Sequence, residues 1–164
     1  MSVVKLETVR RPVDAPPYEL HLATEAARVH LDDGTGDTDL VMAIAVCRER
    51  GRILAGPLGN EVFGRVPRHM LLRAFAEEIP WGLEHAPPEY AVLNACRSWR
   101  FLKQGELCSK VEGGEWARDR VENGSLVEAA LAGQRGDPAA LDAAEARTFA
   151  EAVRDRLLEA AEEG

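Results

Sequence analysis

The run Cys108-Ser109-Lys110-Val111-Glu112-Gly113-Gly114-Glu115-Trp116-Ala117 decides how the chain is read. Ser109 and Glu112 have the Ser-x-x-Glu spacing of a capping box, in which each side chain satisfies a backbone N–H of the other residue. The spacing predicts a helix whose first residue is Lys110, beside the positive end of the helix dipole. A lysine and exposed backbone N–H groups at a helix N-terminus suit an anion such as a phosphate. Gly113 and Gly114 each cost a helix about 1 kcal/mol against alanine. Two in succession imply that a backbone or a ligand packs closely there. Trp116 can anchor the helix in a core. An ordinary capped helix with a solvated lysine fits the same residues.

Outward from this run the pattern stays helical. Pro87-Pro88 opens a helix over 88–104, and Gly105 stops it. Within it Val92, Ala95, Cys96, Trp99 and Leu102 recur at three and four residues as one buried stripe. Gly124-Ser125 starts a helix to Ala132, residues 133–137 turn, and Pro138 opens a final helix to Glu162. Leu141, Ala144, Phe149, Val153, Leu157 and Ala160 mark its inner side. Toward the N-terminus, Asp39 can cap a helix over 39–50 that Gly51 stops. Pro67 opens another to Ile79, which Pro80-Trp81-Gly82 ends; residues 52–59 read as an apolar loop or a short strand and residues 61–66 as irregular. Before Asp37, residues 3–9 and 18–22 alternate like strands. Thr24 can cap a short helix to Leu31, followed by a turn over 32–36. Two strands alone are marginal in water, so this pair looks like the edge of a larger sheet. The fold class expected is mostly α, a small helical bundle with a short N-terminal β-strand pair, divided as residues 1–36 and 37–164.

Composition excludes several functions. The net charge of −8 argues against a nucleic-acid groove, and few aromatic residues are present to stack on bases. Residues 137–164 carry eight acids against three arginines, a solvated face that could also attract a polycationic small molecule. No apolar run approaches the roughly 20 residues of a membrane span. The start MSVVKLETVRR has no signal-peptide core, so a cytoplasmic location is expected. Cys47, Cys96 and Cys108 lack CxxC spacing and read as reduced core residues, and no two histidines pair as metal ligands. There is no phosphate-loop, dinucleotide or nucleophile-elbow motif. Asp37-x-Asp39 could be a metal pair, but a helix cap with a second acid on the dipole explains it as well.

Read together, Leu93-Asn94-Ala95-Cys96-Arg97, Leu102-Lys103-Gln104-Gly105-Glu106 and the opening run resemble the C-terminal helical domain of the streptomycin/spectinomycin 3″-adenylyltransferases, aminoglycoside-modifying nucleotidyltransferases. Asp37-Thr38-Asp39-Leu40 is similar to that family's Asp-Pro-Asp-Leu helix start. Gly56-Pro57 with Glu61-Val62-Phe63-Gly64-Arg65-Val66-Pro67 resembles its Gly-Pro…Glu-Leu-Phe-x-Pro-Val-Pro segment. Tyr18-Glu19-Leu20-His21-Leu22 resembles the strand where its two domains join. The resemblance covers about residues 17–160.

It implies a chemistry in which ATP and magnesium deliver AMP to a hydroxyl of a streptomycin- or spectinomycin-type antibiotic. By resemblance Lys110 matches the phosphate-contacting lysine. Trp81 matches the drug-site tryptophan, and Glu84 and Glu89 loosely match its acids across a loop about three residues shorter. No residue here is assigned a catalytic or metal role. The family's Gly-Ser…Asp-x-Asp nucleotidyltransferase domain has no counterpart in these residues, and residues 1–36 look like its last edge. A drug-holding tryptophan is replaced at Thr24-Glu25-Ala26, and an ATP-contacting tyrosine falls near Leu131. The resemblance thus implies a drug- and nucleotide-binding half, inactive without its catalytic domain. The alternatives are a stand-alone binding module, or an interaction module that meets a separate nucleotidyltransferase chain or its own copy through residues 3–22.

Overall fold

Backbone pairing is confined to the N-terminus of the computed structural model, which describes residues 1–23, 28–137 and 141–163. Strand β1 (Ser2–Val3), helix α1 (Leu6–Arg10), β2 (Leu20–Ala23) and β3 (Arg28–His30) come first. The strands form an antiparallel sheet of order β1-β2-β3, with Val3 opposite Leu20 and His21 opposite His30. Three expectations change here. The strand over 3–9 is β1 followed by α1. Over so few residues the alternation fits a helix turn equally well, and Glu7 and Arg10 complement its dipole. A tertiary contact settles the choice: Gly64 N–H donates to the Val9 carbonyl at 2.7 Å, and a Cβ on Gly64 would lie 2.2 Å from the Arg10 carbonyl oxygen. The second strand begins at Leu20 rather than Tyr18. The helix expected from Thr24 to Leu31 is a strand where it is described, at β3. Thr24 itself lies outside the described residues.

Helix α2 (Asp39–Arg50) buries Leu40, Val41, Ile44 and Ala45 and ends at Gly51, as its periodicity implies. Its N-cap is Thr38 rather than Asp39, and the Asp37 carboxylate accepts the Asp39 N–H at 2.9 Å. After the exposed loop at 51–58 comes a short α3 (Gly59–Val62). The Arg48 guanidinium donates to the carbonyls of Asn60 (2.9 Å) and Phe63, tying α3 and its C-cap to α2.

Helix α4 (Arg68–His85) does not stop at Pro80. An internal proline removes one backbone donor and strains the preceding turn, a cost of about 3 kcal/mol. The helix carries it because Ala76 and Ile79 are fully buried, and because Gly82 lets the next turn lie against the Tyr90 ring. A Cβ there would be 3.1 Å from it.

The described residues divide into two compact units, Met1–Ala74 and Phe75–Gly164. The second is built on α5 (Pro88–Gln104), with proline in its first turn and Gly105 at φ 72° closing it. Ala91 to Cys96 are buried without a break, so this helix is covered on every side by its neighbours. Beside α4, those include α6 (Lys110–Ala117), α7 (Gly124–Gln134) and α8 (Ala143–Glu162). The paired glycines of α6 meet the expected close packing. A Cβ on Gly113 would lie 2.5 Å from Arg97 Cα, and one on Gly114 would lie 2.6 Å from Leu93 and 2.9 Å from Leu131. Trp116 meets Trp99 edge-on at 5.1 Å beside the core. The final helix starts at Ala143, where the Asp142 carboxylate accepts two N–H groups. Pro138 is outside the described residues. Ala146, Ala150, Val153, Leu157 and Ala161 form its buried side, whereas Ala144 is exposed and Ala160 half-buried. Among the described residues no helix is long and apolar enough to cross a membrane.

Candidate functional site

The capping box at Ser109 is formed. Ser109 Oγ accepts the Glu112 N–H at 3.1 Å, and Glu112 Oε2 accepts the Ser109 N–H at 2.7 Å. Two N-terminal donors of α6 are therefore satisfied internally, and the Glu112 carboxylate already sits on the positive end of the helix. What the helix presents outward is the Lys110 side chain. Its ammonium lies 3.6 Å from the centroid of the Tyr90 ring. No carboxylate lies within ion-pair distance of it among the described residues. The Lys110 pKa is held below the usual lysine value, chiefly by burial and then by the nearby Arg97 guanidinium, with Glu78 opposing.

Tyr90 belongs to a polar cluster made by α4 and α5. Its hydroxyl donates to Glu78 Oε1 at 2.8 Å, and Arg97 Nη2 donates to Glu78 Oε2 at 2.5 Å. The Glu78 and Arg97 side chains are only 10% and 21% exposed, so this ion pair is far better shielded than the exposed pairs elsewhere. Arg97 Nε donates to Asn94 Oδ1 at 2.6 Å. Asn94 is fully buried, and its Nδ2 has no hydrogen-bond partner among the described residues. The Arg97 guanidinium also lies over the Phe75 ring, 5.7 Å from its centroid. Since Glu78 offsets Arg97, the cluster together with Lys110 carries one net positive charge.

Trp81 is 53% exposed. It stacks on His85 at 5.4 Å and meets Tyr90 edge-on at 6.0 Å. Tyr90 thus touches both Trp81 and Lys110. Glu84 is exposed, and Glu89 packs its side chain at Gly133. Neither hydrogen-bonds nor ion-pairs with this cluster. Glu78, Tyr90, Asn94 and the pairing of Arg97 escaped the sequence reading. Glu78 and Arg97 are 19 residues apart on different helices, and no local spacing reports such a pair. The aromatic residue in the first turn of a proline-opened helix was the one available signal.

The cysteines are free thiols. Burial pushes the Cys96 pKa up to about 12, an inert core group, whereas Cys47 and Cys108 are half-buried. Residue Leu131, where the resemblance places a nucleotide-contacting tyrosine, is buried in the core. Among the described residues no three His, Cys, Asp or Glu side chains converge as metal ligands.

Residues 61–158 match the family model of the aminoglycoside adenylyltransferase C-terminal domain. The chain belongs to this adenylyltransferase family. It is 30% identical over 96 residues to the aminoglycoside (3″) (9) adenylyltransferases of Klebsiella pneumoniae and Shigella flexneri. An Escherichia coli protein of the same name matches at the same identity. In each case the match covers 55% of this chain and 36% of the relative, so the chain spans about a third of the length of these adenylyltransferases. Every residue of the Glu78–Tyr90–Arg97–Lys110 cluster falls within the matched adenylyltransferase domain.

Proposed function

We propose that this chain is the nucleotide- and drug-binding half of an adenylyltransferase that moves AMP from ATP to a hydroxyl of a streptomycin- or spectinomycin-type antibiotic in the cytoplasm, and so confers resistance. The observation that carries the reading is Lys110. It is a half-buried cation at a helix N-terminus, next to an aromatic surface and with no carboxylate in ion-pair contact among the described residues, so its charge is left to meet an anion. Lys110 would hold a phosphate of ATP. The exposed Trp81 would form an apolar wall for the drug, and Glu84 and Glu89 would draw its cationic groups. In this reading residues 37–164 are the binding domain, and residues 1–36 lead from a nucleotidyltransferase domain that meets the edge formed by residues 3–22. That domain would supply the carboxylates for magnesium and for deprotonating the drug hydroxyl. The 164 residues alone would then transfer no AMP.

The test is a calorimetric titration with ATP and with streptomycin, run beside an assay for drug-dependent pyrophosphate release. ATP is expected to bind, and Lys110→Ala to weaken it by about tenfold or more, as for loss of a charge-assisted hydrogen bond. Trp81→Ala and Glu84→Gln should weaken streptomycin. Pyrophosphate release by the chain alone would refute its dependence on a further domain. ATP affinity unchanged in Lys110→Ala would refute the site. Ligand binding that persists without transfer, even after fusion to a nucleotidyltransferase domain, would favour a binding module instead.

A further inference from the structure

A lysine side chain has four rotatable carbon–carbon bonds, and an ammonium meant for a phosphate has to be held without being neutralised. A carboxylate would hold Lys110 but would also compete with the phosphate. An aromatic face attracts the cation through its quadrupole and leaves the full charge available. Tyr90 offers that face at 3.6 Å. The ring is itself fixed, because its hydroxyl donates to Glu78 and its edge meets Trp81. Glu78 is fixed in turn by Arg97, and Arg97 by Asn94. The close approach of Gly113 to Arg97 sets α6, which carries Lys110, against this same part of α5.

We infer that Tyr90, braced by Glu78, is a positioning residue that holds the Lys110 ammonium in place for an anion. The purpose rests on the phosphate reading above, whereas the positioning stands on the contacts alone. Glu78 is a brace and not a drug-binding acid, since both of its oxygens are engaged inside the protein.

The chain has three lysines, Lys5, Lys103 and Lys110, so reductive methylation with a carbon-13 label gives few signals, and Lys110→Arg assigns the one of interest. In the wild-type chain the Lys110 methyl signal should be displaced upfield of the Lys5 and Lys103 signals by the Tyr90 ring current. Tyr90→Phe keeps the ring and loses the brace, so the displacement should persist at reduced size. Tyr90→Leu should abolish it. Inorganic tripolyphosphate, followed at the same signal, should bind about two- to tenfold more weakly to Tyr90→Leu, with Tyr90→Phe in between. A purely structural role would not produce this graded rescue.

The inference is overturned if the wild-type Lys110 signal coincides with the other two. It is equally overturned if a folded Tyr90→Leu leaves the signal or the tripolyphosphate affinity unchanged. Should Tyr90→Leu fail to fold, the wild-type displacement and the Phe variant decide. If tripolyphosphate does not perturb wild-type Lys110, the phosphate reading fails, and the ring-current comparison still decides the positioning.

Discussion

The first unit of the chain and the second bury their apolar residues differently. In the first, one face of α2 is inside, while Val3 of β1, Val29 of β3 and Leu54 of the 51–58 loop stay exposed, Leu54 at 98%. In the second, six successive residues of α5 are inside, and α6, α7 and α8 each turn apolar residues toward it. A long helix surrounded by neighbours is determined by its own pattern many times over. A two- to five-residue segment contains too few residues for a period, and a single outside contact decides its state. The substitutions below should therefore be felt strongly in the second unit and weakly at the surface of the first.

Leu93→Ala is expected to have the largest effect. It removes a fully buried side chain from the α5–α6 contact, and should lower stability by about 2–5 kcal/mol in a denaturant titration. Leu54→Ala should stay within about 0.5 kcal/mol. Comparable losses in the two variants would erase the contrast.

The two glycines of α6 sharpen it. Gly113→Ala drives a methyl group into the Arg97 backbone, which cannot move aside, and should cost about 1–3 kcal/mol. Gly114→Ala meets the Leu93 and Leu131 side chains rather than backbone, and the better helix propensity of alanine returns about 1 kcal/mol. It should therefore be clearly milder. Equal midpoints for the two variants would contradict the packing described.

Above pH 9 the buried thiol of Cys96 should become visible. Its pKa is about 12 in the native state against 9.0 for an ordinary thiol, so in that window the unfolded chain loses the proton and the native chain keeps it. Stability should then fall as pH rises from about 9 toward 12, by up to about 1.4 kcal/mol per pH unit. Cys96→Ala should flatten the slope. Lys110 acts with the opposite sign: its native pKa lies below 10.5, so its contribution rises with pH as the unfolded chain alone stays protonated. An unchanged slope in Cys96→Ala would show that other groups govern the alkaline limb.

At the mouth of the site the expected effects are the smallest. Ser109→Ala removes the cap of α6 and should cost about 1 kcal/mol by thermal or chemical unfolding. Lys110→Ala should cost about half as much, because its contact with Tyr90 is offset by relief of a half-buried charge. A larger loss for Lys110→Ala than for Ser109→Ala would mark the lysine as a structural anchor.

Sequence alone determined what depends on neighbours along the chain. The capping box of Ser109 and Glu112, the proline start and glycine stop of α5, and the need for something close against Gly113 and Gly114 are all local rules, and the folded chain obeys each. Placing Lys110 first in its helix was legible for the same reason. Tertiary structure decided the rest. It turned residues 6–10 into a helix through Gly64, carried α4 through Pro80 by burying Ala76 and Ile79 in the turn before it, and joined Glu78 to Arg97 and Tyr90 to Lys110 from three different helices. Such contacts leave no period in the sequence, because their energy depends on distances across space that no spacing along the chain encodes.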